Sequence, residues 1–272
     1  MDRFAKDIKD FKTNLTGKTV LVTGASRGIG KAIAIAFART QCKLVLAARS
    51  KDRLEKTAEE IASLGASAFV QLIDVSQESS ILSGLAEIRK NCAPIDILVN
   101  NAGIYKTASV AGHPSPLWNE IMSTNLTSAF IFSRELIQDM VAANWGRVIN
   151  ISSISGKHAE IHGAAYSASK FGLLGLTQAL ALELADKGVT VNAICPGWVN
   201  TELAREQIED PEWCKLNSID PQESQEIARL SVPQMRFIEC DEVAQLAVYL
   251  ATDMARGITG QAINICGGMC LS

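Results

Sequence analysis

The 272 residues carry 26 Lys and Arg against 29 Asp and Glu, a formal net charge of −3, and 47% of them are hydrophobic. No basic surplus advertises a nucleic-acid or lipid surface, and no apolar run reaches the roughly 18 residues that cross a bilayer. The seven cysteines are scattered and odd in number, without a C-x-x-C pair. Metal-thiolate and redox-pair chemistry therefore lack support, and reduced thiols in a cytoplasm are the expectation.

Phe4, Ile8, Phe11 and Leu15 share one helical face, which predicts a helical extension over 1–16 that packs on the body or on a partner subunit. Asp2, Asp7 and Asp10 stand among its lysines, unlike the acid-poor composition of a transit peptide. From Lys18 onward short apolar runs alternate with longer amphipathic ones. Strands are predicted at 18–23, 43–48, 67–73, 95–100, 146–151, 189–194 and 261–265. Helices are predicted at 28–40, 51–64, 77–91, 115–143, 165–187 and 240–252. The strand candidates are nearly continuous in apolar residues, as strands covered on both faces are. The whole predicts a single-domain α/β protein over 17–272, a doubly wound parallel sheet of about seven strands with helices on both faces. Only 200–235 breaks the rhythm. It carries Pro211, Pro221 and Pro233 and an acidic run, and it reads as a lid placed where such folds bind ligands.

The first strand runs into VLVTGASRGIGKA, with Gly24, Gly28 and Gly30. A strand, a glycine turn and a helix in that order suit a pyrophosphate, because glycines let backbone approach it and the helix start offers free N–H groups. A tight structural turn is the other reading. At the end of the second strand, NAD sites place a carboxylate that accepts the ribose 2′-hydroxyl. Here Ala47-Ala48-Arg49-Ser50 stands instead. Arg49, with Arg27 from the glycine loop, could grip a 2′-phosphate, which favours NADP(H).

Tyr166 and Lys170 lie four apart on one predicted helix face, where an ammonium can sit beneath a phenol. Ser153 follows the strand Val148-Ile149-Asn150-Ile151 and is placed to hydrogen-bond a substrate oxygen. No cluster suggests a metal.

Taken together, the chain resembles the short-chain dehydrogenase/reductases from about Leu15 to Gly268. The pieces that carry the resemblance are Thr23-Gly24-Ala25-Ser26-Arg27-Gly28-Ile29-Gly30, Asp74-Val75, Asn100-Asn101-Ala102-Gly103, Asn125, Ser153, Tyr166 with Lys170, and Pro196-Gly197-Trp198-Val199-Asn200-Thr201. It implies a Rossmann fold and interconversion of a ketone and a secondary alcohol with NADP(H). Tyr166 would be the proton donor or acceptor, and Ser153 the oxygen holder. Lys170 would bind the nicotinamide ribose and depress the tyrosine pKa, and Asn125 would anchor a proton relay. Cofactor contacts would come from Gly24, Ser26, Arg27, Gly28, Ile29, Gly30, Arg49, Asp74, Val75, Asn101, Ala102, Gly103, Pro196, Gly197, Val199 and Thr201, together with Tyr166 and Lys170. His158, His162 and Trp198 would face substrate, with Trp213 a further candidate wall of an apolar pocket. Cys266 departs from the family, which usually has aspartate before the paired glycines.

Within the family the wording most resembles 3-oxoacyl-[acyl-carrier-protein] reductases and polyketide ketoreductases. The positions that would meet an acidic carrier protein fall on Lys187 and Asn144, only one of them basic. The PGWV stretch also resembles 3-hydroxybutyrate dehydrogenases, which use NAD and lack the arginine pair. A carbonyl reductase acting on a free ketone (steroid, quinone, sugar or aromatic metabolite) remains the alternative. A non-catalytic NADP sensor is a third reading, against which the intact Asn125, Ser153, Tyr166 and Lys170 argue. The resemblance further implies a homotetramer built through the helices at 115–143 and 165–187.

Overall fold

A computed structural model describes residues 15–271, so the helix expected over 1–16 lies almost wholly outside the described residues. Seven strands form one sheet: β1 (Thr19–Thr23), β2 (Lys43–Ala48), β3 (Ala68–Leu72), β4 (Ile97–Asn100), β5 (Gly146–Ile151), β6 (Val189–Pro196) and β7 (Ala262–Ile265). Their order is β3-β2-β1-β4-β5-β6-β7, and every pairing is parallel.

The helices divide between the two faces because side chains alternate along each strand. Val20 and Val22 of β1 join one core with Ile33 and Phe37 of α1 (Gly28–Ala38). Leu21 between them points into the other core, with Ile81 and Leu85. On this second face lie α3 (Glu78–Asn91), α5 (Ser128–Ala142) and α6 (Ala164–Leu184), while α2 (Lys51–Ser63) follows β2 and α4 (Ser115–Met122) precedes α5. Burying a large apolar side chain of this kind is worth about 1.5–3 kcal/mol. The two-sided demand explains why the strands read as unbroken apolar runs.

The chain winds outward from β1 in both directions, and the order reverses between β1 and β4. The connections leaving their C-terminal ends run in opposite directions there, forming the crevice where such sheets take ligands. A buried amide chain fixes the neighbouring elements. Asn100 Nδ2 donates to Asn150 Oδ1 at 2.9 Å and Asn150 Nδ2 to Thr177 Oγ1 at 2.9 Å, linking β4, β5 and α6.

Two stretches differ from the sequence pattern. The helix expected over 115–143 is broken by a π-helical turn at Ser123–Thr127. No proline or glycine stands within Ser123–Thr127 to mark the break, so the pattern alone does not reveal it; such turns are frequent at functional sites, and this one carries Asn125. The segment expected as a lid forms three short helices, α7 (Glu202–Ile208), α8 (Pro211–Asn217) and α9 (Ser224–Leu230), before α10 (Cys240–Ala251) returns to the sheet. Thr201 caps α7 by accepting from Ala204 N at 3.1 Å, and Asp210 caps α8 by accepting from Glu212 N at 2.9 Å. Pro211 opens α8, where no helix N–H is needed. No helix among the described residues is long and apolar enough to cross a membrane.

Candidate active site

The glycine turn is held by a clasp between the ends of β1 and β4. Thr23 Oγ1 accepts from the N–H groups of Asn101 (3.0 Å) and Ala102 (3.1 Å), and Asn101 Nδ2 donates to Thr23 O at 2.9 Å. Gly24 adopts φ +66°, the left-handed region that glycine tolerates. Gly30 has a different reason to be glycine: a Cβ there would run into Gly24 O and Asn101 Nδ2. Gly30→Ala is therefore expected to cost about 1–3 kcal/mol through overpacking, read as a lower melting temperature together with loss of nicotinamide-dinucleotide binding. An unchanged melting temperature would refute this account of the loop.

This turn opens a groove of about 430 Å³ at the β1/β4 crevice. Gly24, Ser26, Arg27, Gly28, Ile29 and Gly30 line one side, Arg49, Asp74 and Val75 another, and Asn101, Ala102 and Gly103 also line it. Asp74 is oriented by Ser76, whose backbone N–H (3.0 Å) and hydroxyl (2.8 Å) both donate to its Oδ1. Of the expected cofactor residues, Tyr166, Lys170 and Thr201 also line this groove, whereas Pro196, Gly197 and Val199 do not; the cleared volume beside the glycines fits a dinucleotide pyrophosphate. Arg53, in the first turn of α2, also lines the groove; the sequence reading did not single it out.

The acid absent from β2 is supplied from elsewhere. Arg27 pairs with Glu202 at 2.8 Å and Glu206 at 2.9 Å, and Arg53 pairs with Glu202 at 3.1 Å. All four side chains are 39–59% exposed, so each pair is worth only about 0–1 kcal/mol, little enough for a bound phosphate to displace.

A second cavity, of about 410 Å³, adjoins the groove, and Tyr166, Ile29 and Thr201 line both. Ser153, Pro196, Gly197, Val199 and His158 line this second cavity, as do Trp198 and Trp213, whose rings meet edge to face at 6.2 Å. His162 does not. It sits at φ +60° and its carbonyl accepts from Ala108 N at 3.0 Å, so its part is to shape the turn before α6.

Ser153 ends the extended chain after β5. Its Oγ accepts from Ser155 N at 3.0 Å and lies 3.0 Å from Ser155 Oγ, and it hydrogen-bonds the Tyr166 hydroxyl. Lys170, one turn along α6, is buried with Nζ 5.6 Å from the Tyr166 ring centroid, donating to Ile151 O at 2.9 Å. Burial pushes its ammonium down to about 8 from the ordinary 10.5. The resemblance implied a depressed tyrosine. Here burial, reinforced by the negative charge of Glu160, pushes the Tyr166 phenol up, and the Ser153 hydrogen bond only partly offsets that. The phenol therefore holds its proton at neutral pH, as a proton donor requires.

Asn125 faces both the groove floor and α6. Its Oδ1 accepts from Ile104 N at 2.9 Å, and its Nδ2 donates to Ile104 O at 3.0 Å and Ser169 Oγ at 3.1 Å. Tyr105 and Glu160, which the sequence did not single out, complete the wall behind Tyr166, with the Tyr105 ring edge-on at 5.0 Å. Lys187 and Asn144 lie at the other end of the sheet, just before β6 and β5 begin. Within one chain they do not flank this cavity, which stands at the C-terminal ends of those strands.

A parallel α/β sheet with a glycine turn at its switch point, and a Ser-Tyr-Lys set beside it, defines a nicotinamide-dependent oxidoreductase. The short chain dehydrogenase family model matches residues 18–212, and the chain belongs to that family. An acetoacetyl-CoA reductase of Shinella zoogloeoides is 40% identical, the alignment covering 92% of this chain and 98% of that one. A 3-oxoacyl-[acyl-carrier-protein] reductase of Pseudomonas aeruginosa is 34% identical over 95% and 100%. The crystal structure of an actinorhodin polyketide ketoreductase variant with NADPH superposes with a TM-score of 0.88 at 36% identity, covering 93% of this chain and 97% of that one.

Proposed function

We propose that the chain reduces 3-oxoacyl thioesters with NADPH, delivering the proton from Tyr166. The observation that carries this reading is that the Tyr166 hydroxyl, bonded to Ser153, stands where the dinucleotide groove meets the apolar cavity. The relatives named as acetoacetyl-CoA and 3-oxoacyl reductases and the NADPH-bound neighbour support the substrate and the cofactor.

When bound, the nicotinamide supplies a hydride to the carbonyl carbon. The chain's own work is placement and charge. Ser153 holds the carbonyl oxygen as negative charge grows on it, and Tyr166 gives that oxygen a proton. Lys170 has one ammonium proton committed to Ile151 O and two more to offer, directed to the nicotinamide ribose and to the phenolate left on Tyr166. Asn125 locks Ile104 and α6 together, fixing the floor opposite Lys170 and serving the proton relay. Arg27, Arg49 and Arg53 would hold a 2′-phosphate, with Arg27 and Arg53 exchanging their pairs with Glu202 and Glu206 for it. Residues 200–235 act as the lid over both cavities, with Thr201 at their shared edge.

The exposed apolar side chains on α5 and α6, Phe130, Phe171 and Leu182, support a tetramer formed through these helices. A cytoplasmic setting follows from the cysteine reading, and an acyl carrier protein is a partner consistent with a thioester substrate. Trp198 and Trp213 favour the second reading, a free aromatic ketone. The test is NADPH oxidation with acetoacetyl-CoA set against a panel of free ketones; failure on every thioester would move the reading to the free ketones.

A further inference from the structure

Among the described residues lining the substrate-side cavity, Glu160 is the one acid, and no lysine or arginine accompanies it. Its position is built. The Glu160 N–H donates to Ser167 Oγ at 3.1 Å and its carbonyl accepts from Gly163 N at 3.3 Å, tying the loop before α6 to the start of that helix. The carboxylate turns inward, where Oε1 accepts from the Ser155 hydroxyl and the Tyr105 phenol hydrogen-bonds to it. Ser155 in turn lies 3.0 Å from Ser153 Oγ, so a single hydroxyl separates the acid from the group that receives the carbonyl oxygen.

The rest of the wall is largely apolar, including Ile154, Ile161, Trp198, Leu203, Trp213 and Met269. The neighbouring lysines point elsewhere: Lys157 Nζ donates to Ala262 O at 2.7 Å and Lys170 Nζ to Ile151 O at 2.9 Å. Burial already pushes the Glu160 carboxyl above the ordinary range, a sign that negative charge is costly here. A second anion in the same low-dielectric space would meet that cost again, together with like-charge repulsion.

We propose that Glu160 is a specificity-determining residue that admits neutral ketones to Ser153 and Tyr166 and excludes 3-oxo acids carrying a free carboxylate. The proposal rests on reading this cavity as the substrate pocket. A thioester or ester places an uncharged carbonyl beside Glu160 and keeps any charged carrier outside, whereas the corresponding acid places a carboxylate against it.

The test compares methyl acetoacetate with acetoacetate at pH 8, using the full chain, NADPH, and the variants Glu160→Gln and Glu160→Asp. The native chain is expected to prefer the ester by about 100-fold or more in kcat/KM, and Glu160→Gln to lower that preference at least about tenfold by raising the value for the acid. Glu160→Asp, which keeps the charge, retains the preference; a purely structural role would not separate the two variants in this way. An unchanged preference in Glu160→Gln, or equal use of both ketones by the native chain, overturns the proposal. Turnover of neither ketone counts against the reductase reading alone. Binding of 4-acetylbenzamide and 4-acetylbenzoate, followed by quenching of Trp198 and Trp213, then decides the role of Glu160. Tighter binding of the amide, with the gap narrowed in Glu160→Gln, supports it; equal binding, or none, overturns it.

Discussion

Tyr166→Phe is expected to lower kcat by roughly 10²–10⁴-fold, the range a positioned proton donor contributes, while the dissociation constant for NADPH stays near the native value. The ring remains, so its edge-on contact with Tyr105 at 5.0 Å and its place above Lys170 persist. What goes is the hydroxyl that bonds Ser153 and gives the proton. Because burial and Glu160 hold that hydroxyl protonated, the loss falls on the chemical step in the reducing direction and not on binding. Steady-state rates with parallel fluorescence titration of NADPH separate the two. Near-native kcat in the phenylalanine variant would remove Tyr166 from its role.

The second large effect concerns the cofactor. Arg49→Asp is expected to lower the NADPH-to-NADH ratio of kcat/KM by about 100-fold or more. A charge-assisted hydrogen bond to phosphate contributes about 1.5–3 kcal/mol, each 1.4 kcal/mol is tenfold, and the new carboxylate both repels the 2′-phosphate and accepts the ribose hydroxyl of NADH. Arg27 and Arg53 remain, so some NADPH use persists. Glu202 holds both of these arginines, which places a carboxylate in the arginine cluster. The measurement therefore also decides whether Glu202 or the arginine cluster sets the preference. A ratio unmoved by Arg49→Asp would mean that the arginines do not read the phosphate.

The sheet was legible because each strand carries its own signal. Buried on both faces, the strands appear as apolar runs whose predicted ends agree with the observed ones within one or two residues, the ordinary uncertainty of such boundaries. The grouping of Ser153, Tyr166 and Lys170 was legible because its spacing is local: Tyr166 and Lys170 are one helical turn apart, and Ser153 follows the strand that precedes them. What sequence could not show depends on contacts between distant segments. Arg27 and Glu202 are 175 positions apart, so the pairing that occupies the groove leaves no periodic trace. Glu160 and Tyr105 meet only because the loops after β4 and β5 fold over one another. The π-helical turn at Asn125 is silent for another reason: no proline or glycine stands within Ser123–Thr127 to mark the break. Lys187 and Asn144, carried over by alignment, had no geometric support to begin with, and the parallel course of β5 and β6 puts them at the opposite end of the sheet from Ser153.

The most direct measurement is the conversion of acetoacetyl-CoA by the native chain with NADPH, followed by the fall in NADPH absorbance and by identification of the product. Equimolar consumption of NADPH and appearance of 3-hydroxybutyryl-CoA is the predicted result. NADPH oxidation that occurs only with free ketones, or a chain that binds NADPH and reduces no carbonyl at all, would contradict it.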